Sequence, residues 1–333
     1  MGTADAVTKE YMKDNHVFAD VYNFLLGKKI VDPDKLSPVD VEELYISSRL
    51  PDDTDKDVQK FRDVMKKYAT AMTDGKASYV LMGIENQQRI DYSMVVRLLI
   101  YDAMRYYKQL QEIEALHRKA KDSKTSEEFL SHFHKTDRLK PVMTVVVYYG
   151  SKPWDATLDL FGLLEEGYDD FKPLMNNYHI KVFETSNMTD EDLQTLESNL
   201  RLVMTFIKGS SDMKKLTTMV ENDEAFKRID KLSVHVINAV TDAGIQINEK
   251  EETVDMCQAI RDLKRYSKAE GIAEGEARGK AEGKAEGKAE GLLEGKLSMA
   301  LKMLKDGLSY ELVSKYSEFS IEELQKLAAQ NPA

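Results

Sequence analysis

The chain has 333 residues, of which 42% are hydrophobic and 32% are charged, and its formal net charge is −11. A chain of this size buries one sizeable core and still carries appended elements. No apolar run approaches the roughly 18 residues of a membrane span, and the polar N-terminus lacks a signal-peptide core, so we expect a soluble, cytoplasmic protein without membrane contact. The single cysteine, Cys257, excludes an internal disulfide and a cysteine-rich zinc site.

The first half of the chain alternates between helical and strand-like patterns. Apolar residues recur at helical spacing from Asp14 to Leu26, which predicts an opening helix. Three strand-like runs follow, at Val39–Ser48, Phe61–Tyr68 and Ser78–Glu85. A long helical pattern then extends from Tyr92 to Lys121, and Val142 to Tyr149 is typical of a fully buried strand. The sequence therefore predicts an α/β protein with the order helix, three strands, helix, strand.

Two polar side chains, Glu85 and Gln87, end the third predicted strand. Because side chains alternate across a strand, both lie on the same face. Asp63 opens the preceding strand-like run, 22 positions earlier, and its carboxylate can meet that of Glu85 if the two strands are neighbours. Carboxylate oxygens are the ligands that Mg²⁺ prefers, and such an ion activates water beside a scissile phosphate. Spacing alone is weak evidence in an acidic chain, and the alternative is that Glu85 merely ends a strand and faces solvent.

Five segments together resemble a known nuclease family. They are Phe18 to Asn23, Arg62 to Val64, Gly83 to Gln87, Met94 to Arg97 with Tyr101 and Asp102, and Tyr148 to Asp155. In this order they are similar to the Rpn group, recombination-promoting nucleases often labelled putative transposases. The resemblance implies a PD-(D/E)XK restriction-endonuclease-like core, α-β-β-β-α-β, with a helical C-terminal extension. It also implies a DNA endonuclease that depends on Mg²⁺ or Mn²⁺ and is associated with recombination or mobile elements.

The same resemblance assigns roles to individual residues. Asp63 becomes the metal-binding acid of the second core strand, Glu85 that of the third, and Gln87 takes the position where the family most often has lysine. Glutamine carries no charge and offers only amide hydrogen bonds, so either the ion carries more of the electrostatics or the enzyme is slow. Lys67 is a candidate for the missing cation, or else a solvated lysine. Asp20, on the opening helix, is a candidate third metal ligand or a surface carboxylate.

An acidic chain must contact DNA through local basic groups, because Lys and Arg that neutralise phosphates supply most non-specific affinity. The candidate contacts beside the proposed site are Arg62, Lys66, Lys67 and Arg97. Two further basic clusters extend from His117 to Lys124 and from His132 to Lys140. Each is either a phosphate-contacting surface or an ordinary solvated helix end and loop.

The second half of the chain has helical patterns and no catalytic motif. A helix capped by Thr189 is expected to bury one apolar stripe, and further helices fit Glu224–Asp242 and Glu251–Lys268. The stripe consists of Leu193, Leu196, Leu200 and Val203. We therefore divide the chain into a nuclease-like core at residues 1–187 and a helical region at residues 188–268.

A glycine repeat occupies residues 269–296, where glycine recurs at every fourth position from Gly271 to Gly295. Seven glycines cost a helix about 6 kcal/mol relative to alanine. The repeat is thus either a flexible tether or a helix whose Gly/Ala side packs against another helix, which would make the protein a homo-oligomer. Residues 297–333 have the pattern of three short helices, a helix-turn-helix-like module that we expect to serve protein contact or capping.

Two alternatives to an active nuclease remain open. One is a catalytically weak DNA-binding protein that keeps the nuclease fold, which the glutamine at position 87 favours. The other is an assembly protein whose repeat tail is the main functional part.

Overall fold

The structure, a computed structural model, describes residues 3–39, 44–48, 56–60, 63–70, 78–150, 152–248 and 250–330. The chain forms two compact units, Met1–Arg261 and Asp262–Ala333. In the described residues, no helix combines the length and the hydrophobicity of a membrane span.

A five-stranded mixed sheet forms the centre of the first unit, in the order β1-β4-β5-β6-β7. Its strands are β1 (Leu36–Pro38), β4 (Val64–Thr70), β5 (Ser78–Gln87), β6 (Val142–Tyr148) and β7 (Lys181–Glu184). The chain also forms two small antiparallel pairs: β2 (Leu44–Ser48) with β3 (Lys56–Lys60), and β8 (Ile229–Asp230) with β9 (Thr253–Val254). Strands β1, β4 and β5 pair antiparallel, whereas β6 and β7 continue parallel to β5.

Helices precede, connect and follow these strands. Those before α9 are α1 (Thr3–Tyr11), α2 (Asn15–Leu26), α3 (Met94–Ala120), α4 (Ser126–Ser131), α5 (Asp190–Gln194), α6 (Leu200–Gly209), α7 (Met213–Glu221) and α8 (Lys231–Thr241). The last three are α9 (Met256–Lys305), α10 (Tyr310–Ser317) and α11 (Ile321–Gln330). The elements from α2 to β6 that build the sheet follow the predicted order, and the predicted mixed α/β class is confirmed.

Helix α2 begins and ends at residues suited to those positions. The Asp14 carboxylate accepts hydrogen bonds from two backbone N–H groups of the first turn, as an N-cap does. Gly27 ends the helix with φ of 64°, a left-handed conformation that glycine adopts without strain. Between them, the buried Tyr22 hydroxyl donates a hydrogen bond of 2.7 Å to the carbonyl oxygen of Gly83. This bond fixes α2 against β5.

The two faces of the sheet are covered by different helices because side chains of a strand alternate. On β6, Val145 and Val147 belong to the large core that also contains α1, α2 and α5 to α8, whereas Val146 and Tyr148 pack with α3. Asp102 of α3 accepts hydrogen bonds of 2.6 Å from the Thr144 hydroxyl and 2.7 Å from the Tyr178 hydroxyl. Helix α3 is therefore the crossover that parallel strands such as β5 and β6 require.

The first predicted strand, Val39–Ser48, is confirmed only at Leu44–Ser48, and residues 40–43 lie outside the described residues. Leu44–Ser48 pairs with Lys56–Lys60, whereas the strand that joins the central sheet at this point is the earlier segment Leu36–Pro38. Three residues are too few to show an alternating pattern. Pro38 is compatible with this strand because β1 lies at the edge of the sheet.

The helix predicted from Thr189 is divided in two. Thr189 caps α5 as expected, but α5 ends at Gln194 and α6 begins at Leu200. The four residues of the predicted stripe are all buried, in the same core as α1 and α2. The compact unit accordingly continues to Arg261, and residue 187 is not a boundary between compact units. The helix predicted at Glu224–Asp242 is a 3₁₀ turn, the short strand β8 and α8.

The glycine repeat is helical and lies within α9. A Cβ added at any of the six glycines from Gly275 to Gly295 would meet no heavy atom within 4 Å apart from the neighbouring backbone of its own helix. The following helices α10 and α11 bury a small core of Ala300, Val313 and Leu324. Of the three short helices predicted in residues 297–333, the second and third are α10 and α11, while the first is the end of α9.

Candidate active site

The antiparallel pairing of β4 with β5 brings Asp63 and Glu85 to the same end of the sheet. The last registered pair is Val64 with Ile84, and the two acids follow directly on either strand. Gln87 ends β5, where it pairs with Tyr148 of β6. Asp63 therefore lies directly before β4 and Glu85 lies near the end of the neighbouring β5, while residues 61 and 62 of the predicted strand lie outside the described residues.

Glu85 is a buried carboxylate with a cationic partner. Only 2% of the residue is exposed, and its Oε1 atom accepts a charge-assisted hydrogen bond from the Arg97 guanidinium on the first turn of α3. Arg97 also contacts the Asp91 carboxylate at 2.8 Å. The Gln87 amide nitrogen lies 3.4 Å from the same Oε1. A buried carboxylate costs several kcal/mol unless it is paired, so Arg97 stabilises Glu85 in its charged form.

The electrostatics of this pair favour charge on both partners. Burial by itself would lower the pKa of Arg97, but the negative charges of Glu85 and Asp91 outweigh it and raise that pKa. Burial and the charge of Glu85 raise the pKa of Tyr101, whose hydroxyl lies 3.5 Å from the guanidinium. The arrangement is a fixed positive charge beside a buried acid.

Asp63 is anchored to the residue that follows Glu85. Its Oδ2 atom accepts a hydrogen bond of 2.7 Å from the backbone N–H of Asn86. The Asn86 side chain in turn accepts a 3.0 Å hydrogen bond from the buried Tyr149 hydroxyl. Burial raises the pKa of Asp63, and the Asn86 hydrogen bond opposes that rise. The two carboxylates therefore differ: Glu85 is ion-paired with a guanidinium, whereas Asp63 accepts a hydrogen bond from the backbone.

Lys67 does not supply the cation that Gln87 lacks. It pairs with Leu81, four residues before Glu85 and therefore about 13 Å away along β5. Its ammonium lies 4.4 Å from the centroid of the Tyr79 ring. The cation beside Glu85 is Arg97, so that expectation for Lys67 is corrected. Arg97, which the sequence also predicts as a phosphate contact, is ion-paired with Glu85 and Asp91.

Lys66 is not available to DNA, in contrast to the prediction. It is 2% exposed, and its ammonium donates hydrogen bonds of 2.6 Å to the Lys13 carbonyl oxygen and to the Asn15 side chain. Lys66 therefore ties β4 to the turn between α1 and α2. Arg62, the remaining predicted contact, lies outside the described residues.

Asp20 is not a surface carboxylate, and the structure gives it a partner elsewhere. It is 7% exposed, and its Oδ2 atom accepts a 2.7 Å hydrogen bond from the backbone N–H of Ser198. This contact holds the segment between α5 and α6 against α2. Within the described residues, no third His, Cys, Asp or Glu groups with Asp63 and Glu85 at metal-ligand separation. The role predicted for Asp20 as a ligand of the same ion is therefore not supported.

Residues 3–233 match the model of a family described as putative transposase, YhgA-like. The chain belongs to this family. The matched region contains the whole candidate site, whereas the glycine repeat and the terminal helices follow it. No curated protein and no solved structure matches the chain.

In this YhgA-like family member, sequence reasoning missed the pairing of Arg97 with Glu85. The available signal is topological: a crossover helix starts at the sheet edge where its preceding strand ends, so its first turns lie beside the last residues of that strand. An arginine on that turn, 12 residues after a buried acid, is a candidate counter-ion. Sequence reasoning also missed the contacts between His117, His134 and two aspartates.

The buried Lys66 predicts a pH dependence of stability. Burial lowers its pKa from 10.5 to about 8, so between these values the unfolded chain binds more protons than the folded chain. Stability attributable to this group therefore rises from pH 8 to pH 10.5, by up to about 3 kcal/mol. In urea unfolding, the free energy of unfolding of wild type minus that of Lys66→Met should increase from pH 8 to pH 10.5.

Lys67→Met is the matched control. Because it retains Lys66, its free energy of unfolding minus that of Lys66→Met should increase over the same pH range. A difference between wild type and Lys66→Met that does not change with pH would contradict the assignment.

Proposed function

We propose that this YhgA-like family member is a metal-dependent DNA endonuclease with a PD-(D/E)XK-type core that acts on mobile or recombining DNA. The observation that carries the proposal is that Asp63 and the buried Glu85 lie at the same end of the β4–β5 pair. The order helix, three antiparallel strands, crossover helix and parallel strand supports it. The family's description as transposases supports DNA as the substrate.

The donor set fits a hard divalent cation such as Mg²⁺ or Mn²⁺. Asp63 and Glu85 offer carboxylate oxygens, and the Gln87 side chain, whose amide nitrogen lies 3.4 Å from Glu85, also carries a neutral amide oxygen. Oxygen ligands are those that Mg²⁺ prefers, with water completing its coordination. A bound ion would supply an activated water and stabilise negative charge on the scissile phosphate.

Arg97 takes the electrostatic role that lysine has in most of the family. Its guanidinium is fixed by Glu85 and Asp91, so it presents a positive charge at the site at all physiological pH values. A guanidinium binds phosphate oxygens in a planar, two-pronged manner. We infer that Arg97 orients the DNA phosphate once a metal ion replaces it at Glu85 and frees that arm of the guanidinium, while Gln87 contributes only hydrogen bonding.

The same pair motivates the second candidate function, a DNA-binding protein with weak catalysis. Because Arg97 already neutralises Glu85, a metal ion must compete with a guanidinium for that carboxylate. Competition of this kind lowers metal affinity and, with it, the cleavage rate. The two candidates differ in whether DNA is cut or only bound.

Substitution of the two acids tests the site. Asp63→Asn and Glu85→Gln keep the side-chain shapes but remove a charged ligand each, so both should reduce Mg²⁺-dependent relaxation of supercoiled plasmid by more than about 100-fold. Glu112→Gln, an exposed substitution on α3, should cleave like wild type. Gel-shift assays on the same samples report DNA binding separately.

The outcomes separate the candidates. If wild type cleaves DNA and both acid variants do not, the result supports the endonuclease. DNA binding without cleavage in wild type supports the second candidate. Cleavage at the wild-type rate in either folded acid variant would sink the site assignment, with folding checked by circular dichroism.

Gln87→Lys tests the position that differs from the family pattern. The substitution adds an ammonium beside Glu85, so the cleavage rate should stay the same or rise, because a second cation stabilises charge developing on phosphate. Gln87→Met, which has similar length and no hydrogen-bonding amide, is the control and should lower the rate. Complete loss of cleavage in Gln87→Lys would show instead that the glutamine amide makes a contact that an ammonium cannot replace.

We also propose that the glycine repeat of α9 pairs with the same helix of another copy. A Cβ at Gly275, Gly279, Gly283 or Gly287 would meet no described atom within 4 Å apart from the backbone of its own helix, so bulky substitutions should not disturb the single chain. Leucine at Gly275, Gly279, Gly283 and Gly287 would block close approach of two helices and should lower the mass measured by light scattering. Alanine at the same four positions is the control that keeps the surface small. A mass unchanged by leucine at every concentration would rule out helix pairing.

A further inference from the structure

A second group of possible ligands lies at the far end of α3. His117 occupies the last turn of the helix, while His134 and Asp137 lie in the segment between α4 and β6. One ligand atom of each lies within 4.8 Å of those of the other two, and in the described part of the chain these three residues form the one such group. His117 Nε2 is 2.9 Å from Asp137 Oδ2.

His134 supports an interpretation beyond an ordinary ion pair. Its Nε2 atom is buried and makes no hydrogen bond within the described residues, and the nearest carboxylate oxygen, on Asp122, is 3.5 Å away. The His117 and His134 rings stack with centroids 3.6 Å apart. A buried ring nitrogen without a hydrogen bond is a group that a ligand can satisfy.

The position of the third ligand is fixed by the backbone. The Asp137 carboxylate accepts a 2.7 Å hydrogen bond from the backbone N–H of His134, and the Asp137 N–H donates to the His134 carbonyl oxygen at 2.9 Å. His134 and Asp137 therefore form one rigid turn. His117, at the end of α3, contacts Asp137 of this turn and completes the group of three side chains.

The chemistry of this set differs from that of the candidate active site. Two imidazole nitrogens and one carboxylate oxygen are ligands suited to zinc, whereas Mg²⁺ prefers oxygen alone. Asp122 lies 2.9 Å from His117 Nδ1, the position of the carboxylate that commonly orients a metal-binding histidine through its other ring nitrogen. We propose that His117, His134 and Asp137 bind one divalent transition-metal ion, zinc by preference, and that Asp122 positions His117.

The proposed zinc site is separate from the nuclease proposal. His117 follows Arg97 by 20 residues on the same helix, which corresponds to about 30 Å. A bound ion would link the last turn of α3 to the segment that leads into β6. Metal-binding energy at such a structural site contributes to folding stability. The same contacts mean that His117 and His134 face acids, and not phosphates as one interpretation of the basic clusters predicts.

The test uses the full chain without a polyhistidine tag. Metal-free protein is titrated with Zn²⁺ against a chromophoric chelator, and a parallel sample is loaded with Co²⁺ for visible spectroscopy. We expect one Zn²⁺ per chain, cobalt absorption bands typical of mixed nitrogen and oxygen ligands, and a rise in melting temperature with Zn²⁺. His117→Ala and His134→Ala should each weaken Zn²⁺ binding by more than about 100-fold, and Asp122→Asn by about 10-fold.

The control is His132→Asn, which removes a histidine two residues from His134. His132 has a left-handed backbone that asparagine tolerates, and it is not a member of the ligand group. This variant should bind Zn²⁺ like wild type. Absence of stoichiometric Zn²⁺ binding in wild type would overturn the proposal, as would binding that survives in both ligand variants. If a ligand variant fails to fold, absence of nitrogen-ligand cobalt bands in wild type would still overturn it.

Discussion

The ion pair between Glu85 and Arg97 is the interaction on which the rest of the structure depends. Glu85 lies two residues before the end of the middle strand of the sheet, and Arg97 lies on the first turn of the crossover helix that leads to the next, parallel strand. Removing one partner of a buried pair costs about 3 to 5 kcal/mol, because the remaining charge is left without compensation. The pair therefore fixes the position of α3 relative to β5 and also sets the charge at the candidate site.

In the proposed endonuclease, this ion pair supplies a cation at the site although the usual lysine is absent. Gln87 provides no charge, and Lys66 and Lys67 are occupied elsewhere, one with the turn before α2 and the other with the Tyr79 ring. Arg97 reaches the site from the crossover helix instead of from the strand. The candidate site thus has a cation, but the cation comes from a different position in the sequence. The opposite end of α3 carries a chemically different group of histidines and aspartates.

The parts of the fold predicted from sequence are those with strong local periodicity. Helix α2 with its Asp14 cap, helix α3 and strand β6 follow the predicted positions within a few residues. Strand β1 was not predictable because three residues show no alternation, and the break after Gln194 depends on packing that periodicity does not report. Asp63 and Glu85 lie at the same end of the sheet because β4 and β5 are antiparallel neighbours, as the sequence suggests. The Arg97 and His117 partners depend on the path of the crossover, which spacing alone does not specify.

Magnesium binding to the candidate site tests the central claim most directly. Isothermal titration of Mg²⁺ into wild type and into Glu85→Gln isolates this site, because the histidine-containing group offers two ring nitrogens and one carboxylate oxygen, whereas Mg²⁺ prefers oxygen alone. If Glu85 exchanges its arginine partner for a metal ion, wild type binds Mg²⁺ and Glu85→Gln does not. Equal binding in both proteins, or none in wild type with DNA present, would contradict this account.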